Sequence, residues 1–309
     1  MSEEDDAVEE GGDMTMICCA GCGKAEVDEI KLTKCTDCHL VRYCGDKCQE
    51  EHRSQHEEEC KKRADELRDE LLFKQPESSH FGDCPICCLP LSIDPQKSTF
   101  MGCCGKVICD GCNYADMMRQ FEGRLKQKCP FCRHPPPESD GEADKNLMKR
   151  AEANDPVAMC HMGKTRFQEG DYDGAFEYYT KAAGLGDVDA HYHLSVIYQN
   201  GKGVEKNEKK ELYHLEEAAI GGHPDARYNF GCHEGNNGND ERAAKHFIIA
   251  AKLGHDLALE NVKNGYPAGI VSKEDFAAAL RGHQAAVDAT KSPQREAAEA
   301  ARQRQRQKK

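Results

Sequence analysis

The chain has 309 residues, 38% of them hydrophobic, 31% charged and none tryptophan, and a formal net charge of -13. That length accommodates two or three domains at roughly 100 to 200 residues each, with only modest apolar cores. The acidic balance argues against nucleic acid, which needs clustered basic side chains to displace counterions, and apolar runs such as Phe247 to Ala251 fall far short of the roughly 18 residues that cross a bilayer.

Nineteen cysteines set the chemistry. In a secreted chain they would suggest disulfides, but Met1-Ser-Glu-Glu-Asp-Asp has neither the positive charge nor the apolar stretch of a leader. The expectation is a soluble intracellular protein, cytoplasmic or nuclear, whose thiols stay reduced. Residues 1–16 hold seven acidic and no basic side chains, whereas residues 291–309 hold seven basic and two acidic. Both ends, 1–16 and 287–309, are expected to be solvated and disordered. The basic run 302–309 is the one stretch where a nuclear signal or an RNA contact competes with a plain solvated tail.

After the acidic tail come Cys19-x-x-Cys22, Cys35-x-x-Cys38, Cys44-x-x-x-Cys48 and His56-x-x-x-Cys60. These eight soft donors match two tetrahedral zinc ions. The two four-residue spacings put their donors on one face of a helical turn, and a helix is expected through about residue 74, since no proline or glycine lies between Gln49 and Lys74. Spacing alone allows either sequential or interleaved pairing. The run Tyr43 to Gln49 followed by His56 to Cys60 resembles the MYND zinc finger. That resemblance implies interleaving, with Cys19, Cys22, Cys44 and Cys48 on one ion and Cys35, Cys38, His56 and Cys60 on the other. It also implies a surface for short peptides, although Arg53 stands where many members of the family have tryptophan. The finger is placed at 17–60 and a linker at 75–83.

A second array follows: Cys84-Pro-Ile-Cys87, then Cys103-Cys104-Gly-Lys-Val-Ile-Cys109-Asp-Gly-Cys112, then Cys129-Pro-Phe-Cys132-Arg133. Eight thiols again match two ions, for four zinc ions in all, with Cys88 as a spare that competes with Cys103 for the eighth place. The order resembles a RING finger. Lys106 stands where the common pattern has histidine, so the resemblance is to the all-cysteine variety. It implies a cross-brace, Cys84, Cys87, Cys109 and Cys112 against Cys103, Cys104, Cys129 and Cys132. It further implies docking of a ubiquitin-conjugating enzyme through Ile86, Pro130 and Arg133, with no nucleophile of the chain's own. The module is placed at 84–133.

A proline-stiffened linker is expected over 134–146. Beyond it a repeat takes over: Lys181-Ala-Ala-Gly-Leu-Gly186, Glu217-Ala-Ala-Ile-Gly-Gly222, Ile249-Ala-Ala-Lys-Leu-Gly254 and, weakly, Ala277 to Gly282, with steps of 36, 32 and 28 residues. Ala158, Ala190, Ala226 and Ala258 give a second anchor. Periods in this range mean stacked helix pairs, small alanines letting helices approach while Phe176, Tyr179, Tyr192, Tyr198, Tyr213 and Phe247 fill between layers. The run Tyr198 to Val204 and the following Glu-Ala-Ala-x-x-Gly-His resemble the Sel1-like repeat, placed at 147–286. The solenoid's histidines lack a second metal-binding spacing, and Cys160 and Cys232 are expected to pack as small apolar residues.

The fold class expected is therefore two small cross-braced zinc fingers followed by an all-α solenoid. The function implied is a zinc-dependent scaffold binding proteins or peptides, acting as a ubiquitin ligase through the second finger. A non-catalytic adaptor is the alternative.

Overall fold

The computed structural model describes residues 18–27 and 30–307; the acidic stretch 1–16 lies outside them. The chain divides into two compact units, Met1–Leu71 and Leu72–Lys309.

In the first unit, β1 (Thr33–Lys34) and β2 (Arg42–Tyr43) pair antiparallel, Thr33 opposite Tyr43. Helix α1 runs from Asp46 to Leu72 and stops short of Pro76, whose ring disfavours helix in the residue before it. The buried core is Cys19, Leu32, Cys35, Cys38 and Tyr43. One leucine and a tyrosine cannot offset the entropy of ordering some fifty residues, so the thiols must be held by something stronger than packing.

The second unit opens with a cysteine-rich hairpin, β3 (Ser98–Met101) against β4 (Lys106–Cys109), in the register Ser98 opposite Cys109. Helix α2 (Asp110–Glu122) follows directly, capped by Cys109, whose Sγ accepts the Cys112 N–H. Helix α3 (Asp140–Glu152) begins inside the stretch expected to be linker to residue 146. The reason is a capping arrangement: Ser139 Oγ accepts the Glu142 N–H at 3.3 Å and Glu142 reaches back to the Glu138 N–H at 2.7 Å, a signal written in Ser-x-x-Glu.

The solenoid is built of α4 (Pro156–Glu169) with α5 (Tyr172–Gly184), α6 (Val188–Asn200) with α7 (Glu208–Ile220), α8 (Pro224–Asn236) with α9 (Asp240–Lys252), and α10 (Asp256–Gly265) followed by α11 (Lys273–Ala289). Its alanines do what the spacing implied. Ala158, Ala190, Ala226 and Ala258 are fully buried at the start of every first helix, and Ala182, Ala218 and Ala250 are fully buried near the end of each second helix in the first three pairs. Gly186, Gly222 and Gly254 then turn the chain at φ +86°, +86° and +97°, a left-handed conformation that a Cβ would strain. Tyr179 and Tyr198 are buried between layers, but Tyr213, expected to fill there, is 52% exposed on the outer face of α7.

The C-terminal stretch departs from expectation. Residues 293–306 form helix α12 (Pro293–Arg306), capped by Ser292 and opened by a proline at its first turn, and this helix packs on α2. Its basic, low-complexity composition implied a solvated tail; in the structure only Ala298 of its alanines is buried, and its anchors are arginines, which a pattern of apolar residues does not reveal.

Candidate metal centres and the contacts that brace them

The structure gathers the sixteen cysteine and histidine candidates into four tetrads: Cys19, Cys22, Cys44 and Cys48; Cys35, Cys38, His56 and Cys60; Cys84, Cys87, Cys109 and Cys112; Cys103, Cys104, Cys129 and Cys132. The interleaved pairing is the one present in both modules. Cys88 is exposed, in a left-handed conformation at φ +54°, and stands outside every tetrad, while Cys103 Sγ lies 3.5 Å from Cys132 Sγ.

Local structure explains the convergence. In the first module α1 supplies Cys48, His56 and Cys60 from successive turns, and the β1–β2 turn supplies Cys35 and Cys38. Gly21 sits so close to α1 that a Cβ there would lie 2.6 Å from the Cys48 carbonyl, which requires glycine between the first two thiols. In the second, Cys109 ends β4 and Cys112 opens α2, so one strand-to-helix junction presents two thiols in the same direction.

The donor geometry fits zinc. Sulfur pairs stand 3.6 Å apart at Cys22 and Cys44, 3.7 Å at Cys35 and Cys60, 3.8 Å at Cys87 and Cys109, and 3.9 Å at Cys104 and Cys129; a tetrahedron with arms of about 2.3 Å has edges of about 3.8 Å. His56 offers Nε2, 3.1 Å from Cys38 Sγ. Backbone N–H groups of Leu40, Cys44 and Cys109 point at Cys38, Cys19 and Cys84 sulfurs at 3.4 Å each, the outer hydrogen bonds that stabilise thiolate charge. Electrostatics agree. Burial opposes ionisation of Cys19, yet the backbone donors of Cys22, Cys44 and Gly21 bring it down to about 6. Its neighbour Cys48 is pushed up to about 12 by sharing hydrogen bonds with Cys44 and Cys22, and Cys60 likewise to about 12 by burial and by Cys35 and Cys38. Crowded thiols cannot all ionise unless a cation joins them. With four protein donors each, the tetrads leave no position for water, so their chemistry is structural.

The docking candidates lie on the second module's surface. Ile86 is 40% exposed, Met117 and Phe121 are exposed on α2, Leu125 just beyond its end and Phe131 in the last knuckle; Pro130 is half-buried. Arg133 donates to Asp116 at 3.0 Å and Arg119 shares the same carboxylate. Burial works against ionisation of Asp116, but Arg119, Arg133 and Gln120 hold it below the usual carboxylate range.

Two further sets escaped sequence reasoning. The first joins the stretch expected to be a linker to the solenoid: His80 Nε2 lies 2.8 Å from Asp189 Oδ1, His223 Nε2 lies 3.4 Å from the same oxygen, and Lys164 Nζ lies 3.3 Å from Oδ2. These groups also have the makings of a metal site, but His223 Nδ1 accepts the Ala226 N–H as a helix cap, which places the ring proton on Nε2 facing Asp189. A carboxylate with two imidazole donors and an ammonium is satisfied without a metal. The pattern repeats once: His255 caps Ala258 through Nδ1 and reaches Asp225 at 3.1 Å; His283, inside α11, reaches Asp256 at 2.9 Å without capping a helix. The sequence signal was a histidine at the cap position roughly one repeat after an aspartate at the second helical position. Asp189→Asn is expected to cost about 2 kcal/mol of stability, read by urea denaturation at neutral pH. The second set is α12, whose Arg295 donates to Cys87 Sγ at 3.4 Å, Leu89 O at 3.1 Å and Pro90 O at 2.6 Å.

Comparison with known proteins agrees with this architecture. Residues 19–60 match the MYND finger, and residues 156–187, 188–223 and 224–255 each match the Sel1 repeat. The chain carries a MYND finger and three Sel1 repeats. Among curated proteins it resembles chitin synthase regulatory factor 4 of Schizosaccharomyces pombe, 33% identical over 86 residues, which is 28% of this chain and 14% of that relative. Solved structures with a similar trace are a Sel1 repeat protein from Oxalobacter formigenes (24% identity, 58% of this chain and 72% of the other, TM-score 0.42) and c5321, a protective antigen of uropathogenic Escherichia coli (23% identity, 54% and 36%, TM-score 0.39). The MYND finger covers the first two tetrads, and the first three helix pairs of the solenoid are the Sel1 repeats, with α10 opening where the third match ends. Both are protein-interaction modules, and no described helix is long and apolar enough to cross a membrane.

Proposed function

We propose that the chain is a zinc-organised scaffold whose second module is a RING-type finger that docks a ubiquitin-charged conjugating enzyme, while the MYND finger and the Sel1 repeats hold the client. The sixteen donors of the four tetrads are its zinc ligands. The observation that carries this reading is the surface of the second module. α12 occupies one side of α2, yet Ile86 and Phe131 in the two knuckles and Met117 and Phe121, one helical turn apart on α2, remain exposed. Large apolar side chains kept in water on a small metal module are what a partner would cover. Pro130 stiffens the second knuckle, and Arg133 stands just beyond the last thiol to reach the conjugate. The chemistry belongs to the partner's thioester; this chain supplies positioning. In the MYND finger, a cleft of about 350 Å³ beside Arg53, Glu57 and Lys61 offers a peptide charges of both signs.

The test is ubiquitin-chain formation by purified protein with activating enzyme and a panel of conjugating enzymes. Wild type is expected to build chains with at least one of them, Ile86→Ala to lose at least tenfold in rate, and Arg133→Ala to lose less because Asp116 already engages it. Absence of chains with every conjugating enzyme sinks the ligase reading and leaves a non-catalytic adaptor. The pairing of Arg133 with Asp116 favours that second reading, as does the name of the Schizosaccharomyces pombe relative, a regulatory factor.

A further inference from the structure

We infer that the C-terminal helix α12 is the outer shell of one metal centre, Arg295 holding the Cys87 sulfur so that the Cys84, Cys87, Cys109 and Cys112 site keeps its ion only slowly exchanging while α12 is docked. The inference rests on the zinc-ligand reading above. Its ground is a contact spanning 208 residues of sequence. The Arg295 guanidinium is inserted into the first knuckle: one terminal nitrogen donates to Cys87 Sγ and Leu89 O, the other to Pro90 O at 2.6 Å and Thr290 O at 2.9 Å. Its Cγ and backbone meet Gly111 so closely that a Cβ on Gly111 would lie 2.7 Å from both. The helix is held in two more places, by an ion pair from Arg302 to Asp110 and by Arg306 donating to Gln96 Oε1 at 2.9 Å.

Three arginines thus grip the module at the first knuckle, the α2 N-terminus and the turn before β3. The electrostatics give the grip a purpose. Four thiolates around a dication leave a net charge of -2, and each sulfur remains basic enough to be protonated or displaced. A guanidinium donating to one of them lowers its basicity and offsets part of the excess charge. In the MYND finger the Cys38 and Cys19 sulfurs take backbone N–H donors instead, from Leu40 and Cys44. The ion at Cys84, Cys87, Cys109 and Cys112 is therefore the one whose retention is coupled to the end of the chain, and through α12 to the last helices of the solenoid.

Release of zinc from the full-length protein to a chromogenic chelator tests this, with native mass spectrometry for stoichiometry and cobalt substitution for the sulfur environment. Wild type is expected to hold four ions. Arg295→Met should release one of the four at least tenfold faster, within the 10- to 100-fold range of outer-shell losses, and shift the sulfur-to-cobalt charge-transfer band. Arg295→Lys should restore part of the slow release, and Arg304→Ala, at an exposed residue that donates to Ala300 O within its own helix, should behave as wild type. Four ions leaving Arg295→Met at wild-type rates with an unshifted band overturns the proposal. The second ion of the module is expected to follow in a separate, slower phase as the cross-brace opens; release of both in one phase with an unshifted band would mean that the arginine merely props the fold and would also overturn the proposal. A wild type with fewer than four ions would instead overturn the ligand reading.

Discussion

Cys84→Ser is expected to lower bound zinc from four ions to two. The module between residues 84 and 133 should become susceptible to proteolysis while the solenoid stays helical. The expectation follows from the cross-brace. The module's apolar core is Leu91 and Ile108 with the thiols Cys84, Cys109 and Cys112, too little to order fifty residues, whereas a structural zinc site contributes roughly 10 to 16 kcal/mol of apparent binding energy that is also folding energy. The two tetrads alternate along the chain, so unlinking one frees the hairpin that carries Cys103 and Cys104 and the second ion goes with it. Cys88→Ser is the internal control: its thiol lies outside every tetrad and four ions should remain. Mass spectrometry under native conditions reads the count directly. Retention of three or four ions by Cys84→Ser, with an unchanged cleavage pattern, would refute the ligand set.

Acidification from pH 7.5 to 5 is expected to destabilise the Sel1 repeats steeply. Burial holds His193 down to about 3 and His161 to about 4, with Lys164 adding repulsion at both, and burial with His191 holds His214 to about 4. His193 stacks on Tyr179 at 4.8 Å and His161 on Phe100 at 3.7 Å, so an aromatic neighbour covers one face of each ring. A histidine whose folded pKa is depressed contributes stability that is complete above its unfolded value near 6.5 and is lost as pH falls toward the folded value, because the unfolded chain takes up the proton first. His193 and His161 together would cost about 2 to 3 kcal/mol per pH unit below 6. Asp189 acts in the same direction at lower pH: although burial opposes its ionisation, His223, His80 and Lys164 hold it well below the ordinary carboxylate range, so its contribution disappears once it protonates. Urea midpoints followed by helical circular dichroism should fall over this range, and His193→Gln should flatten the dependence. Equal midpoints at pH 7.5 and 5.5 would contradict it.

The metal-binding knuckles were legible because ligand spacing is a local property, whereas their grouping into tetrads was implied only by the family resemblances. Two thiols three residues apart converge on one ion whatever the rest of the chain does, and the helical spacing of His56 and Cys60 places both on one face of α1. The choice between Cys103 and Cys88 was not local, since it depends on which thiol the β3–β4 hairpin carries toward Cys132. The solenoid was legible for a related reason: each repeat buries the same alanines against its neighbour, so the period is written once per pair. Tyr213 was misplaced because repeat position alone does not say which side of a helix the next pair covers.

What the sequence by itself determined are the features built from short-range spacing: two arrays of eight soft donors, alanine-glycine helix pairs, and the expectation of zinc. What only the tertiary structure decided are the long-range polar joints, His80 with Asp189 and His223, and Arg295 with Cys87. Folding brings those groups together across 109 and 208 residues, and they are made of charged side chains that composition assigns to solvent. A lone arginine or histidine carries no periodicity, and its partner's identity exists only once helices on both sides have packed. That is why α12 read as a basic tail and proved to be a clasp.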